Sequence, residues 1–351
     1  MTATPPTRPW TLRVLEGVPL SPAAFGVVFV VGYLLLHVAV HAATGRLEDS
    51  RIVLPVFWER PRWWTEVVNA ALLGYLAAMI RYGMHGAARD LADLRPVLRC
   101  SRAEFAALQR GLAFFDPRPL LAITALAVVL ASCVALFDPR IWPDGGRPPL
   151  TDPVLLWVLG RHVLLGWLLG QALGMDVALT RRFSRIGAER VRVDLFDLSP
   201  LAPFARRGLR TVLLYAIGTA IFSLFWLEPA TAGSGNALLL VVLVALAIAA
   251  LVLPVRGVHG SIRAAKAREL DWVRAAIRSH LAALRDTGAP ASGTAAARLP
   301  ALLDVERRLE SVREWPFDVS TLVRFALYVT LGVGSWLGAA LVERLLGAAL
   351  D

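Results

Sequence analysis

Apolar residues run in seven blocks of about 20, at 23–43, 66–84, 120–137, 153–179, 209–226, 237–255 and 321–346. A helix rises about 1.5 Å per residue, so each block matches a hydrocarbon core about 30 Å thick. The pattern predicts an all-α, polytopic membrane protein with about seven transmembrane helices. The first block is too long for the apolar part of a signal peptide and reads as a retained first helix. The fourth is the least uniform, because Arg161, His162, Gln171 and Asp176 interrupt it.

The polar connections set the expected orientation. Those after the second, fourth and sixth blocks carry six, seven and eleven basic residues, against four, two and none in the alternate connections. Positive charge is retained on the cytoplasmic side, which predicts a cytoplasmic N-terminus and an external C-terminus. Trp58, Trp63, Trp64, Trp142 and Trp226 then fall at outer helix ends, where an aromatic belt belongs.

Helical periodicity continues outside the apolar blocks. Ser101 and Glu104 have the spacing of a capping box, and Phe105, Leu108 and Leu112 follow on one face. RVRVDLFDLSP, 190–200, reads as an ordered loop, with Ser199-Pro200 opening the next helix. Leu270, Val273, Ile277, Leu281 and Leu284 form one stripe; Leu302, Val305, Leu309 and Val312 form another, across the turn-rich 286–296. These predict a cytosolic helical hairpin at 258–318, between the N-terminal segment 1–22 with the membrane domain 23–257 and a last helix in 319–351. The alternative is that both stripes lie on the bilayer surface. Pro316 separates hairpin from helix seven, which Asp318 or Ser320 is placed to cap.

Composition fits this reading. The chain of 351 residues is 56% hydrophobic and 18% charged, with a mean hydropathy of +0.58. Its net charge is +10, and Lys266 is the single lysine among 37 basic residues. That skew, with abundant Ala, Leu, Gly and Pro, points to a GC-rich bacterial genome and hence to a bacterial inner membrane. Basicity held in cytoplasmic loops is no argument for nucleic acid; the expected partners are the lipid bilayer and copies of the same chain. Cys100 and Cys133 lie in a loop and an apolar block, so no disulfide is expected.

Ionisable residues at membrane depth are costly and mark functional sites. His37 and His41 stand one turn apart, and Arg161 and His162 lie at a comparable depth on the fourth block. Three histidines near one level have the chemistry of a metal site or a proton relay. The pair lacks a zincin glutamate, so no metal ligand set is assigned and no cofactor is expected. No Walker loop, nucleophile elbow or paired catalytic carboxylates are present either. Asp176 shares a face with His162 but also stands near Arg181 and Arg182, the expected partners. Gly166, Gly170 and Gly174 have the spacing of close helix packing, as do Gly334 and Gly338 in the last helix.

Seven helices, a cytoplasmic N-terminus, cytosolic helices and a small-residue-rich last helix after FDVSTLV together resemble the insect odorant and gustatory receptor channels. The resemblance, one of topology, implies an oligomeric channel with helix seven near the centre. Two other expectations stand beside it: a transporter or metal-dependent membrane enzyme using the histidines, and a sensor or scaffold with a basic cytosolic face. No internal repeat or inverted symmetry is visible.

Overall fold

A computed structural model describes residues 5–45, 62–137, 149, 151–227, 236–286 and 293–350; in 62–63, 236–244, 283–286, 293–297 and 335–350 only the backbone is described. The fold is that of an all-helical, multi-pass membrane protein. Its helices are α1 (Trp10–Gly17), α2 (Pro22–Ala43), α3 (Arg62–Asp93), α4 (Arg102–Gly111), α5 (Pro117–Phe137), α6 (Pro153–Glu189), α7 (Ala202–Ser223), α8 (Asn236–Asp286), α9 (Gly293–Ser311) and α10 (Val319–Leu350). Among the described residues no strand forms; single backbone bridges join Thr7 to Phe115 and Leu98 to Val191.

Five helices in the described residues are long and apolar enough to cross a membrane: Pro22–Ala43, Trp64–Asp93, Pro117–Phe137, Pro153–Glu189 and Ala245–Ala282. The fifth and seventh expected spans stand apart. In α7 the arginines 206, 207 and 210 occupy the first turns of a 22-residue helix, and a 3-10 turn at Leu224–Leu227 ends it. In α10 the apolar stretch among the fully described residues is Val319–Gly334, and the rest of the expected seventh span lies outside them.

Local signals account for the starts. Ser21 accepts from Ala24 N at 3.2 Å ahead of Pro22, and Asp152 accepts from Val154 N at 2.8 Å ahead of Pro153. Both halves of the Ser101–Glu104 capping box form at α4. At α10, Asp318 is the cap: its Oδ1 accepts from Thr321 N at 2.7 Å. Ser199-Pro200 opens a 3-10 turn, and α7 begins only at Ala202, with the Ser199 hydroxyl turned back onto Asp197.

Burial shows which helix is central. In its most apolar window α3 is 67% buried, against 22% for α2 and 17% for α5. α3 meets α2, α6 and α7, while α10 lies on α7 and leaves Leu322, Val323, Leu327 and Leu331 exposed. Within one chain, then, the described side chains of α10, up to Gly334, pack on α7 along one face only. The outward faces of α2 and α5 expose Val27, Val31, Leu35, Leu126, Leu130 and Phe137, a surface suited to lipid.

Small residues allow the crossings. A Cβ on Gly166 would lie 2.7 Å from Ala127 O, and one on Gly170 2.5 Å from Thr124 Cα, so α5 and α6 touch backbone to backbone. Gly174 faces Leu120 on the same line. A Cβ on Gly334 would meet nothing within 4 Å, and Gly338 lies where only the backbone is described.

α8 spans 51 residues, about 76 Å at helical rise, and carries the sixth apolar block into the first arm of a hairpin. α9 returns antiparallel along it. Arg274 bonds Glu306 and Glu310, each at 2.7 Å, and Lys266 Nζ donates to the carbonyls of Glu310 and Val312 at 2.8 and 2.9 Å.

Candidate functional site

On α2, Tyr33, His37 and His41 recur every fourth residue and share one face. On α6 the same spacing brings Trp157 and Arg161 together, and α3 contributes Glu66. The six side chains meet where these three helices converge. Arg161 Nη1 donates to Glu66 Oε1, and the Tyr33 hydroxyl donates to Oε2 at 3.2 Å. His37 Nδ1 stands 3.7 Å from the same Oε2 and accepts the Trp157 indole N–H at 2.9 Å. The Trp157 ring stacks on Tyr33 with centroids 5.7 Å apart. His41 places Nδ1 2.9 Å from the His37 carbonyl, their rings 4.4 Å apart. Side-chain exposure is 3% for His37, 5% for Arg161 and 14% for Glu66, so the ion pair works in a low dielectric. Removing one partner of such a pair costs about 3–5 kcal/mol, because the other is left charged and buried.

Of the residues expected from the sequence, His37, His41 and Arg161 are brought together. His162 lies about 100° further round α6, its Nδ1 2.8 Å from the Val158 carbonyl. Among the described residues no three His, Cys, Asp or Glu side chains converge in a way that could hold a metal ion.

Asp176 belongs to a second cluster, and its partners are not Arg181 or Arg182. Its Oδ1 accepts from Arg207 at 3.0 Å and Thr211 at 3.1 Å, and its Oδ2 from Tyr215 at 3.1 Å, all on α7. Arg182 is engaged elsewhere, donating to the carbonyls of Gly111 and Phe114 past the end of α4.

A third cluster ties α3 to α7 at the far end. Asp90, wholly buried, receives Arg210 at 2.5 and 3.1 Å, while Arg206 reaches Asp93 at 2.6 Å. Gly86 makes this possible, since any Cβ there would strike the Arg210 guanidinium. Against the second cluster lies a cavity of about 20 Å³, room for a single water. Met79, Met84, Met175, Asp176, Arg207 and Leu214 line it.

Glu66, Asp90, Arg207 and Arg210 escaped sequence reasoning. Each sits within a few turns of a helix end, where a charge reads as interfacial or as loop basicity. The signal present was the pairing of signs, an acid opening the second block at Glu66 and another beyond its end at Asp90.

Neither a family model, a curated protein nor a solved structure matches this chain.

Proposed function

We propose that the chain is a transporter of a small solute or ion in a bacterial inner membrane, with seven spans and a cytoplasmic N-terminus, held in an occluded state. α2, α3, α5, α6, α7, the first part of α8 and α10 are the spans. The distribution of basic connections supports the orientation, and the scarcity of lysine the bacterial source.

One observation carries the reading: α3 is clamped at both ends by buried ion pairs, with a cavity between them. Glu66 and Asp90 are 24 residues apart, about 36 Å along the helix, which places them near opposite faces of the bilayer. The Glu66–Arg161 pair closes α3 on α6 at the outer side. The Asp90–Arg210 and Asp176–Arg207 pairs close α3 and α6 on α7 at the inner side. A small cavity lying along α3 between its two ion-paired ends, and lined by Asp176 and Arg207, supports an alternating-access reading.

Leu214 lines the cavity. In a Cys100→Ser, Cys133→Ser background, Leu214→Cys in sealed vesicles is expected to resist an impermeant maleimide from either side. Glu66→Gln with Arg161→Gln is expected to admit it from outside, and Asp90→Asn with Arg210→Gln from inside. Folded double variants that both leave the cysteine unreactive would remove the transporter reading.

A second reading, the oligomeric channel, is favoured by α10, whose outward face exposes Val323, Leu327 and Leu331 and where a Cβ on Gly334 would meet nothing within 4 Å. A single-chain particle in native nanodiscs would exclude it.

A further inference from the structure

The Trp157–His37 bond fixes a protonation state. An indole N–H only donates, so the His37 Nδ1 that accepts it at 2.9 Å carries no proton, and the ring is neutral. That nitrogen also stands 3.7 Å from Glu66 Oε2, a distance a small ring rotation closes to a hydrogen bond. It thus faces a donor on one side and an acceptor on the other, and its proton decides which of these two it bonds. Unprotonated, it accepts from Trp157. Protonated, it presents N–H to N–H at Trp157, which is repulsive, and a donor to a carboxylate, which is attractive.

Resting on the transporter reading, we propose that His37 is the proton-binding residue of the outer clamp, and that a proton arriving at Nδ1 moves its bond from Trp157 to Glu66. The charged and titratable groups that face it among the described residues are Tyr33 and His41 from α2, Glu66 from α3 and Arg161 from α6. Glu66 attracts the imidazolium and Arg161 repels it. Tyr33 already donates to Glu66 Oε2, so the new bond comes to the oxygen that Arg161 does not hold. Glu66 then neutralises two cations in place of one, and its attraction for Arg161 is divided. The proton comes from water at the outer face and leaves the same way; no covalent bond changes.

His41 fits a supporting role. A histidine Nδ1 bonded to the carbonyl four residues back presents its other nitrogen away from that bond. Its ring lies against His37 and limits which way that ring turns.

The test uses the full chain labelled with 5-fluorotryptophan in lipid nanodiscs, with the Trp157 ¹⁹F resonance assigned by Trp157→Phe. That resonance is expected to shift between about pH 5 and pH 8 with a single midpoint, and to lose its pH dependence in His37→Gln, where the amide oxygen accepts from the indole at every pH. Histidine labelled with ¹⁵N in the unmutated chain gives the same reading should His37→Gln not assemble: one ring must change at Nδ1 with the same midpoint. A flat Trp157 resonance, a shift that survives His37→Gln, or a shift no histidine follows would overturn the proposal. Leu214→Cys labelling across the same range reads the transporter hypothesis separately. A His37-dependent shift with the cysteine always closed keeps the proton site and removes only the transporter.

Discussion

Asp90 of α3 and Arg210 of α7 meet at two points, Oδ2 to Nη1 at 2.5 Å and Oδ1 to Nη2 at 3.1 Å, with the carboxylate wholly buried. Arg206 meets Asp93 one turn away, with both side chains about half exposed. The two pairs join the same helices in different dielectrics. Asp90→Ala is expected to cost about 3–5 kcal/mol, since Arg210 keeps its charge in a site it cannot leave. Arg206→Ala is expected to cost less than about 1 kcal/mol. Asp90→Ala with Arg210→Leu should recover much of the first loss. Thermal unfolding in detergent gives the order; equal losses for Asp90→Ala and Arg206→Ala would sink the argument from burial.

The glycine line on α6 makes a second expectation. Gly170→Ala puts a methyl 2.5 Å from the Cα of Thr124, which is backbone and cannot rotate away, so α5 must shift. A cost of about 1–3 kcal/mol is expected, as for other overpacked sites. Gly160→Ala, on the same helix with nothing within 4 Å, is expected to be neutral or slightly stabilising through helix propensity. Unfolding of the two variants side by side separates crossing from propensity; a harmless Gly170→Ala would mean α5 is not held there.

These two sites show what pattern alone could and could not reach. Gly166, Gly170 and Gly174 repeat every fourth residue, and the crossing with α5 follows from that spacing because a helix has one face per such line. His37 and His41 were legible for the same reason. Glu66 was not, since it opens an apolar block where any acid reads as interfacial; only the fold brings Arg161 to it. Asp176 was misassigned because proximity in sequence favoured Arg181 and Arg182, whereas α7 packs beside it and presents Arg207, Thr211 and Tyr215 at four-residue spacing. The packing of α10 on α7 was equally hidden. Small residues announce close packing without naming the partner, and α10 spends Gly332 on Ala216 and leaves Gly334 open.

Asp318 makes the C-terminal helix α10 pH-sensitive at its start. Hydrogen bonds from Thr321 and Ser320 hold its carboxyl down to about 2, from an ordinary 3.8. A group whose folded value is depressed adds stability above its unfolded value and loses it as pH falls through the folded one. The cap is therefore intact above about pH 4 and lost on approach to pH 2. Exposed Glu104, whose carboxylate is lowered by the backbone N–H of Ser101, behaves with the same sign at α4. Amide exchange at 319–322 is expected to quicken on acidification in the unmutated chain. In Asp318→Ala it should be fast already, and Asp318→Ser should restore protection without the acid step. An acid step that persists in Asp318→Ser would assign it to another group.

Lys266 is placed to hold the joint between α9 and α10 against α8. Its ammonium donates to the carbonyls of Glu310 and Val312, at the end of α9 where helix carbonyls lack partners of their own. Just beyond, His259 Nδ1 lies 3.0 Å from the Glu314 carbonyl, its ring stacked on Trp315 at 4.1 Å, and Trp315 stacks on Phe317. The joint thus has one cationic tie and one aromatic stack, both anchored on α8. Lys266→Met keeps the apolar stem and removes the donors, so α9 should stay packed while its end loosens. Exchange at 310–318 is expected to rise about tenfold, in keeping with about 1.5 kcal/mol for a charge-assisted bond. Arg274→Ala, which breaks the ion pairs to Glu306 and Glu310 at an exposed position, should act further up the hairpin and more weakly. If Lys266→Met instead quickens exchange evenly along α8 and α9, the lysine supports the hairpin as a whole, and the joint has no tie of its own.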